Sequence, residues 1–194
     1  LHWVRMSTFD RNWRELQLET LVDFSLTIGG VRPEEELAEE LLQRAVGTLD
    51  AGSGVVVTLH PGGHESVVRS LGLPASFEAV RSLFPPELLE QLADGRFVRV
   101  QREADEPPFE LLAAPLRAGR EFLGVVVLGD KEARVGRIAF SDSDARFLLA
   151  LGSMVATAVA TSRRVAAIER DRQRLADENR ELRDTARREG FIGE

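Results

Sequence analysis

The sequence predicts an α+β fold, with a central antiparallel sheet, helices on both faces and a long C-terminal helix that extends as a coiled coil. Three observations carry this reading. The run Val125-Val126-Val127-Leu128 is apolar without alternation, which puts its strand under cover on both faces. Two pairs of β-rich stretches, Gly54 to Leu59 with Glu65 to Leu71 and Leu111 to Arg117 with Phe122 to Leu128, flank glycine turns and read as hairpins. A single helical pattern runs from Phe147 to Ala186, longer than one domain core can use.

The elements follow in order. Trp13, Leu16, Leu21, Phe24 and Ile28 recur at helical spacing and end at Gly29-Gly30. Pro33 opens a second helix. Glu34, Glu35 and Glu36 complement the dipole of its first turn, and Leu37, Leu41, Leu42, Val46 and Leu49 form its buried stripe. The first hairpin turns at His60-Pro61-Gly62-Gly63-His64, and the second at Ala118-Gly119-Arg120. Between them Phe77, Val80, Phe84, Leu88, Leu89 and Leu92 are helical in spacing but interrupted by Pro85-Pro86, so two short helices are expected. They are the expected cover for a pocket. Phe97 to Gln101 reads as a short strand, followed by the acidic loop Glu103-Ala104-Asp105-Glu106-Pro107-Pro108. Ser141, three residues before Asp144, resembles a capping box at the start of the long helix.

Composition narrows the chemistry. The chain has 194 residues and a formal charge of −7, enough for one domain plus an extension. Residues 1 to 162 carry net −8, so the body would repel a duplex and no direct nucleic-acid contact is expected from it. With zero Cys, disulfides, thiol nucleophiles, thiolate metal sites and thioether-linked chromophores are excluded. No uninterrupted apolar run approaches a membrane span and no signal peptide is read, so the expected location is cytoplasmic. Leu1 to Arg5 precede Met6, a candidate start, and are left out of the fold reading.

No catalytic constellation stands out, and the chain is not expected to be an enzyme. Lys131 is the sole lysine and Glu132 follows it, which rules out a GxxxxGK[ST] phosphate loop. Gly52-Ser53-Gly54 precedes a strand, the wrong setting for a dinucleotide fingerprint. His60 and His64 flank a turn without a third ligand, so no metal is assigned. No cofactor is assigned either. The candidate ligand-binding residues are apolar walls from Phe84, Phe97 and Phe109 with polar groups from His60, Arg99, Gln101 and Arg102.

The long helix carries a heptad seam. Leu151, Ala158, Val165, Arg172, Asn179 and Ala186 fall at a; Phe147, Met154, Thr161, Ile168, Leu175 and Leu182 fall at d. From Arg163 onward the flanks are Arg, Asp and Glu, so only the seam can be buried. Asn179 at an a position favours a parallel pair, and Glu178 at g would face Arg183 at e of the partner helix. The expected dimerisation residues are Leu151, Met154, Ala158, Val165, Ile168, Arg172, Leu175, Asn179 and Leu182.

The order helix, helix, hairpin, helical insert, hairpin, long helix resembles a GAF domain, a small-molecule sensory module, over about Arg11 to Ser162. The most family-like stretches are Leu112-Ala113-Ala114-Pro115-Leu116, Gly124-Val125-Val126-Val127-Leu128, and Phe140 with Asp144. The resemblance implies a GAF-like sheet and a possible small-molecule effector. Members that bind cyclic nucleotides carry Asn-Lys, Phe and Asp-Glu, where this chain has Asp130-Lys131, Phe140 and Asp144-Ala145. Two changes argue against that ligand and leave the motif a role in shaping the strand-to-helix turn. Members that reduce free methionine sulfoxide or tether bilins use cysteines, which are absent.

Gly190-Phe191-Ile192-Gly193-Glu194, after an Arg-rich helix, is similar to the entry into the AAA+ domain of sigma-54-dependent enhancer-binding regulators of the nitrogen-regulator class. The implied organisation is an N-terminal extension (1–10), a GAF sensory domain (11–162), a coiled-coil signalling linker (163–189) and the start of an AAA+ domain (190–194). The implied partners are a second copy of the chain and its own AAA+ domain, with no membrane. The alternatives are a GAF input domain of a histidine kinase or cyclase, and a ligand-free structural dimerisation module.

Overall fold

Strand alternation and two hairpins build the sheet. The structure, a computed structural model, describes residues 2–103, 108–133 and 136–191, with side chains for 12–103, 108–132 and 138–185. Strands β1 (Ala51–Leu59) and β2 (Glu65–Leu71) form the first hairpin; β4 (Glu110–Ala118) and β5 (Glu121–Ala133) form the second. With β3 (Val98–Gln101) they give the antiparallel order β2-β1-β5-β4-β3. A short β6 (Gly136–Ile138), which the sequence reading did not separate, pairs with the end of β5. β5 is the central strand, and Gly124 within it has φ +147°, with Val57 O 2.0 Å from where a Cβ would stand. Only glycine lets β1 approach there.

The β5 run is covered on both faces, as its lack of alternation predicts. One face carries Val56, Leu112, Ala114, Val126 and Leu128 against α2 (Glu34–Leu49) and the first half of α5 (Asp142–Phe191). The other carries Val55, Val57, Leu111, Ala113, Val125 and Val127 under α3 (Phe77–Arg81) and α4 (Pro86–Ala93). Fully burying side chains of this size is worth about 1.5–3 kcal/mol each, so both layers stabilise the sheet. The layers are unequal. α2 and α5 pack along their face, whereas α4 touches β3 and β4 sparsely.

Helix α1 (His2–Thr27) lies against α5 and α2, where Arg44 stands 4.9 Å from the centre of the Phe24 ring. Phe24 is fully buried, while Leu16, assigned to the stripe by spacing, is exposed. Gln17 takes the inward place because it donates to a buried carboxylate on α5. α1 begins at His2, so the expected N-terminal extension (1–10) is continuous with this helix.

The capping box forms as read: Asp144 N donates to Ser141 Oγ at 3.2 Å, and Ser141 N to Asp144 Oδ2 at 2.8 Å. α5 then runs 50 residues, beginning five before Phe147 and continuing through Gly190 to Phe191. Ile192 to Glu194, three of the five residues of the AAA+ entry reading, lie outside the described residues, as does Ala104 to Pro107 of the acidic loop. By length and composition α5 contains a stretch apolar enough to cross a membrane, and 50% of that stretch is buried inside the fold, as in the core helix of a domain.

Candidate functional site

The broken helix encloses a cavity. Pro85-Pro86 cannot continue α3, so the chain turns and α4 restarts with Pro86 at its first position. Ser76 caps α3 through Ala79 N at 3.2 Å, and the Glu65 carboxylate accepts from Phe77 N, tying the cover to β2. At the far end Arg117 donates to Ala93 O at 2.6 Å and to Arg120 O at 3.1 Å, which fixes α4 to the second hairpin.

Between these ties lies a space of about 230 Å³, bordered by Phe77, Val80, Phe84, Leu89 and Leu92 of the cover and by Phe122 and Val125 of β5. Arg81 and Ala93 stand at its rim. Apolar walls with few polar groups suit a small ligand and offer no acid, base or nucleophile for chemistry.

A second cluster sits at the start of α5. Asp144, fully buried, accepts from Lys131 Nζ at 2.7 Å, Gln17 Nε2 at 2.9 Å, Trp13 Nε1 at 3.2 Å and the Ser141 amide. Lys131 also lies 4.8 Å from the centre of the Trp13 ring. Burial pushes the Asp144 carboxyl up, but the Lys131 and Ser141 hydrogen bonds and the Lys131 charge outweigh it and hold it below the ordinary aspartate value.

Beside it Asp130, in the left-handed region at φ 44°, accepts from the Phe109 and Glu110 amides at 2.9 Å each. Glu110 accepts from Phe140 N at 3.0 Å, and Arg99 donates to Phe140 O at 2.7 Å. Asp130, Lys131, Phe140 and Asp144 thus form one network that shapes the turn from sheet to α5.

A third feature marks where α5 leaves the body. Arg163 grips Glu34 with Nε to Oε2 at 2.9 Å and Nη2 to Oε1 at 2.6 Å, and donates to Leu59 O at 2.7 Å. Glu34 also accepts from the buried Thr58 hydroxyl. Burial raises the Glu34 carboxyl, yet the Arg163 and Thr58 bonds prevail and its pKa is lowered.

Beyond this grip Val165, Ile168, Leu175 and Leu182 are 41%, 67%, 59% and 71% exposed, so the seam is bare. Leu151 and Ala158 of the same seam are instead buried in the body, with Met154 packed against them. Thr161, the d position between Ala158 and Val165, is exposed, so the seam is open to a partner helix from there onward. Arg172 and Asn179 lie on the exposed part, where Arg174 pairs with Asp171 at 3.7 Å and Glu178 at 3.8 Å along its own helix.

Of the residues the sequence nominated for ligand contact, Phe84 borders the cavity. The others are not gathered around it. His60 is exposed at the first hairpin turn; Phe97 packs toward the α2–α5 layer; Arg99 reaches Phe140 and Asp142; Gln101 is exposed; Arg102 donates to Pro108 O at 3.0 Å; and the Phe109 amide serves Asp130. Parity explains the split on β3, because Val98 and Val100 face the cover and their neighbours must face away. The alternation of Val98 and Val100 was the available signal. Nothing local marked Phe122, Val125 or Arg81.

A family model described as "GAF domain" matches residues 34–161. Among solved structures, the GAF domain of a phosphoenolpyruvate-protein phosphotransferase from Coxiella burnetii is 15% identical with a TM-score of 0.59, covering 79% of this chain and 98% of that one. A GAF domain assigned to a sensor histidine kinase from Pseudomonas syringae pv. tomato is 19% identical with a TM-score of 0.57, covering 87% and 98%. The phycoerythrobilin-bound GAF domain of a cyanobacterial phytochrome is 16% identical with a TM-score of 0.57, covering 76% and 96%. At these identities the likeness is one of fold. No curated protein matches the chain.

Proposed function

The chain belongs to the GAF domain family, and from that premise we propose that it is the small-molecule-sensing input of a sigma-54-dependent transcriptional activator, acting on an attached AAA+ ATPase through a parallel coiled coil. The observation that carries this reading is α5, one uninterrupted 50-residue helix whose first half is core and whose second half bears a bare apolar seam. An isolated helix gains little from exposed Ile168, Leu175 and Leu182; pairing with a second copy would bury them. The Arg-rich end leading into Gly190-Phe191 supports the AAA+ attachment. The domain itself is a cytoplasmic, non-enzymatic receiver that neither enters a membrane nor contacts nucleic acid directly.

The route from cavity to coil runs along β1. Val57 and Leu59 lie on the cover side, whereas Thr58 between them holds Glu34, which holds Arg163. A ligand acts only by binding one arrangement of the dimer more tightly than another.

With no native Cys, single cysteines give a clean test. Val165→Cys and Leu182→Cys should each form a disulfide-linked dimer under mild oxidant, while Asp177→Cys, off the seam, should not. Crosslinking at neither seam position, or at one only, would contradict a parallel coil. The fold shared with the GAF domain assigned to a histidine kinase favours a second reading, a kinase input domain. Sequencing beyond Glu194 separates them: an ATPase phosphate loop supports the first, a helix with a phosphoacceptor His the second.

A further inference from the structure

We propose that the cavity under α3 and α4 takes a small aromatic monocarboxylate, held by three phenylalanine rings and by Arg81 at the rim; this rests on the sensory reading above. Size sets the first limit. A cavity of 150 Å³ accepts benzene, so about 230 Å³ holds on the order of ten non-hydrogen atoms. A cyclic nucleotide has roughly twice that number and a bilin more, so neither fits the space as it stands.

Chemistry sets the second limit. Phe77, Phe84 and Phe122 contribute rings, and Val80, Leu89, Leu92 and Val125 complete apolar walls, which favour an aromatic body over a sugar. Arg81 is the single charged residue on the lining, and its side chain makes no ion pair or hydrogen bond among the described residues. Its guanidinium is therefore available to a carboxylate. The lining has no Asp or Glu, so an ammonium group would enter without a partner. Free amino acids are thereby disfavoured against simple acids of the same shape. The cover is the sparsely packed layer of the sheet, and its opening admits the ligand without disturbing the α2–α5 core.

Calorimetric titration of the full chain with 3-phenylpropionate, its neutral analogue 3-phenylpropanol and its amino analogue phenylalanine tests the assignment. The acid should bind; the amino acid, which brings an ammonium without a partner, and the alcohol, which lacks the charge-assisted contact, should each be about tenfold or more weaker, and the Arg81 contact is read as the preference for acid over alcohol. Arg81→Met should remove that preference, Arg81→Lys should keep part of it, and Ala93→Trp, at an exposed position on the rim, should block all three. Equal binding of acid and alcohol with no effect of Arg81→Met would overturn the carboxylate assignment and leave the sensory reading standing. Acid binding that survives Ala93→Trp would place the site elsewhere and overturn the proposal. No binding of any probe at millimolar concentration would overturn the proposal and leave the sensory reading standing.

Discussion

Replacing Asp144 by Ala strikes the point on which α1, β5 and α5 converge. The carboxylate is fully buried, and its loss leaves Lys131, with 7% of its side chain exposed, without its 2.7 Å partner. Breaking a buried pair from one side costs about 3–5 kcal/mol, because the remaining charge is uncompensated. The donors on Trp13, Gln17 and Ser141 lose their acceptor as well. These losses share one carboxylate and do not add, and the Trp13 ring offsets part of the Lys131 charge, so about 4 kcal/mol is expected. That is a large share of the roughly 5–15 kcal/mol of a typical domain. Urea unfolding at neutral pH, followed by circular dichroism, measures it. The double variant Lys131→Met with Asp144→Asn removes both charges and should recover more than half of the loss. A cost below about 1 kcal/mol for Asp144→Ala, or a double variant as damaged as the two single changes summed, would refute the reasoning.

Glu110 should titrate against the trend of its neighbours. Burial pushes its carboxyl up more than the Phe140 amide and Arg99 pull it down, with Asp130 and Asp144 adding to the rise. Its contribution is therefore full below the unfolded glutamate value of about 4.3 and is lost as pH rises through the higher folded value. Glu110→Gln keeps an acceptor for Phe140 N and should be more stable than wild type at pH 7, the gap closing toward pH 4 in paired thermal melts. Asp144 and Glu34, both held low, contribute above their unfolded values and lose that contribution only as pH falls through the folded ones. Arg163→Met should leave Glu34, with 14% of its side chain exposed, without its ion-pair partner and cost about 1–2 kcal/mol, with faster amide exchange around residues 160–168 than in the β5 core.

Much of the fold was legible because its signals are local. The unalternating Val125 to Leu128 run, the glycine turns, Pro85-Pro86 and the Ser141–Asp144 box each act through residues a few positions apart, and each appears as read. The misassigned positions depend on distant partners. Leu16 fits the helical stripe as well as Gln17 does, but 127 residues later Asp144 supplies an acceptor that Gln17 can use and Leu16 cannot. The bonded partners of Arg163 are likewise on α2 and at the end of β1, far from any motif around it.

Alone, then, the sequence determined the elements, the antiparallel hairpins and the heptad period, since propensity, turn chemistry and spacing act over short range. The tertiary structure decided which sides of those elements were already taken. It turned Phe97 and Arg99 away from the cavity because Val98 and Val100 face the cover, and it spent Leu151 and Ala158 on the domain's own core, leaving the seam bare only from Thr161 onward. Periodicity gives each apolar stripe a direction along its element; only packing against a particular neighbour decides what that stripe faces.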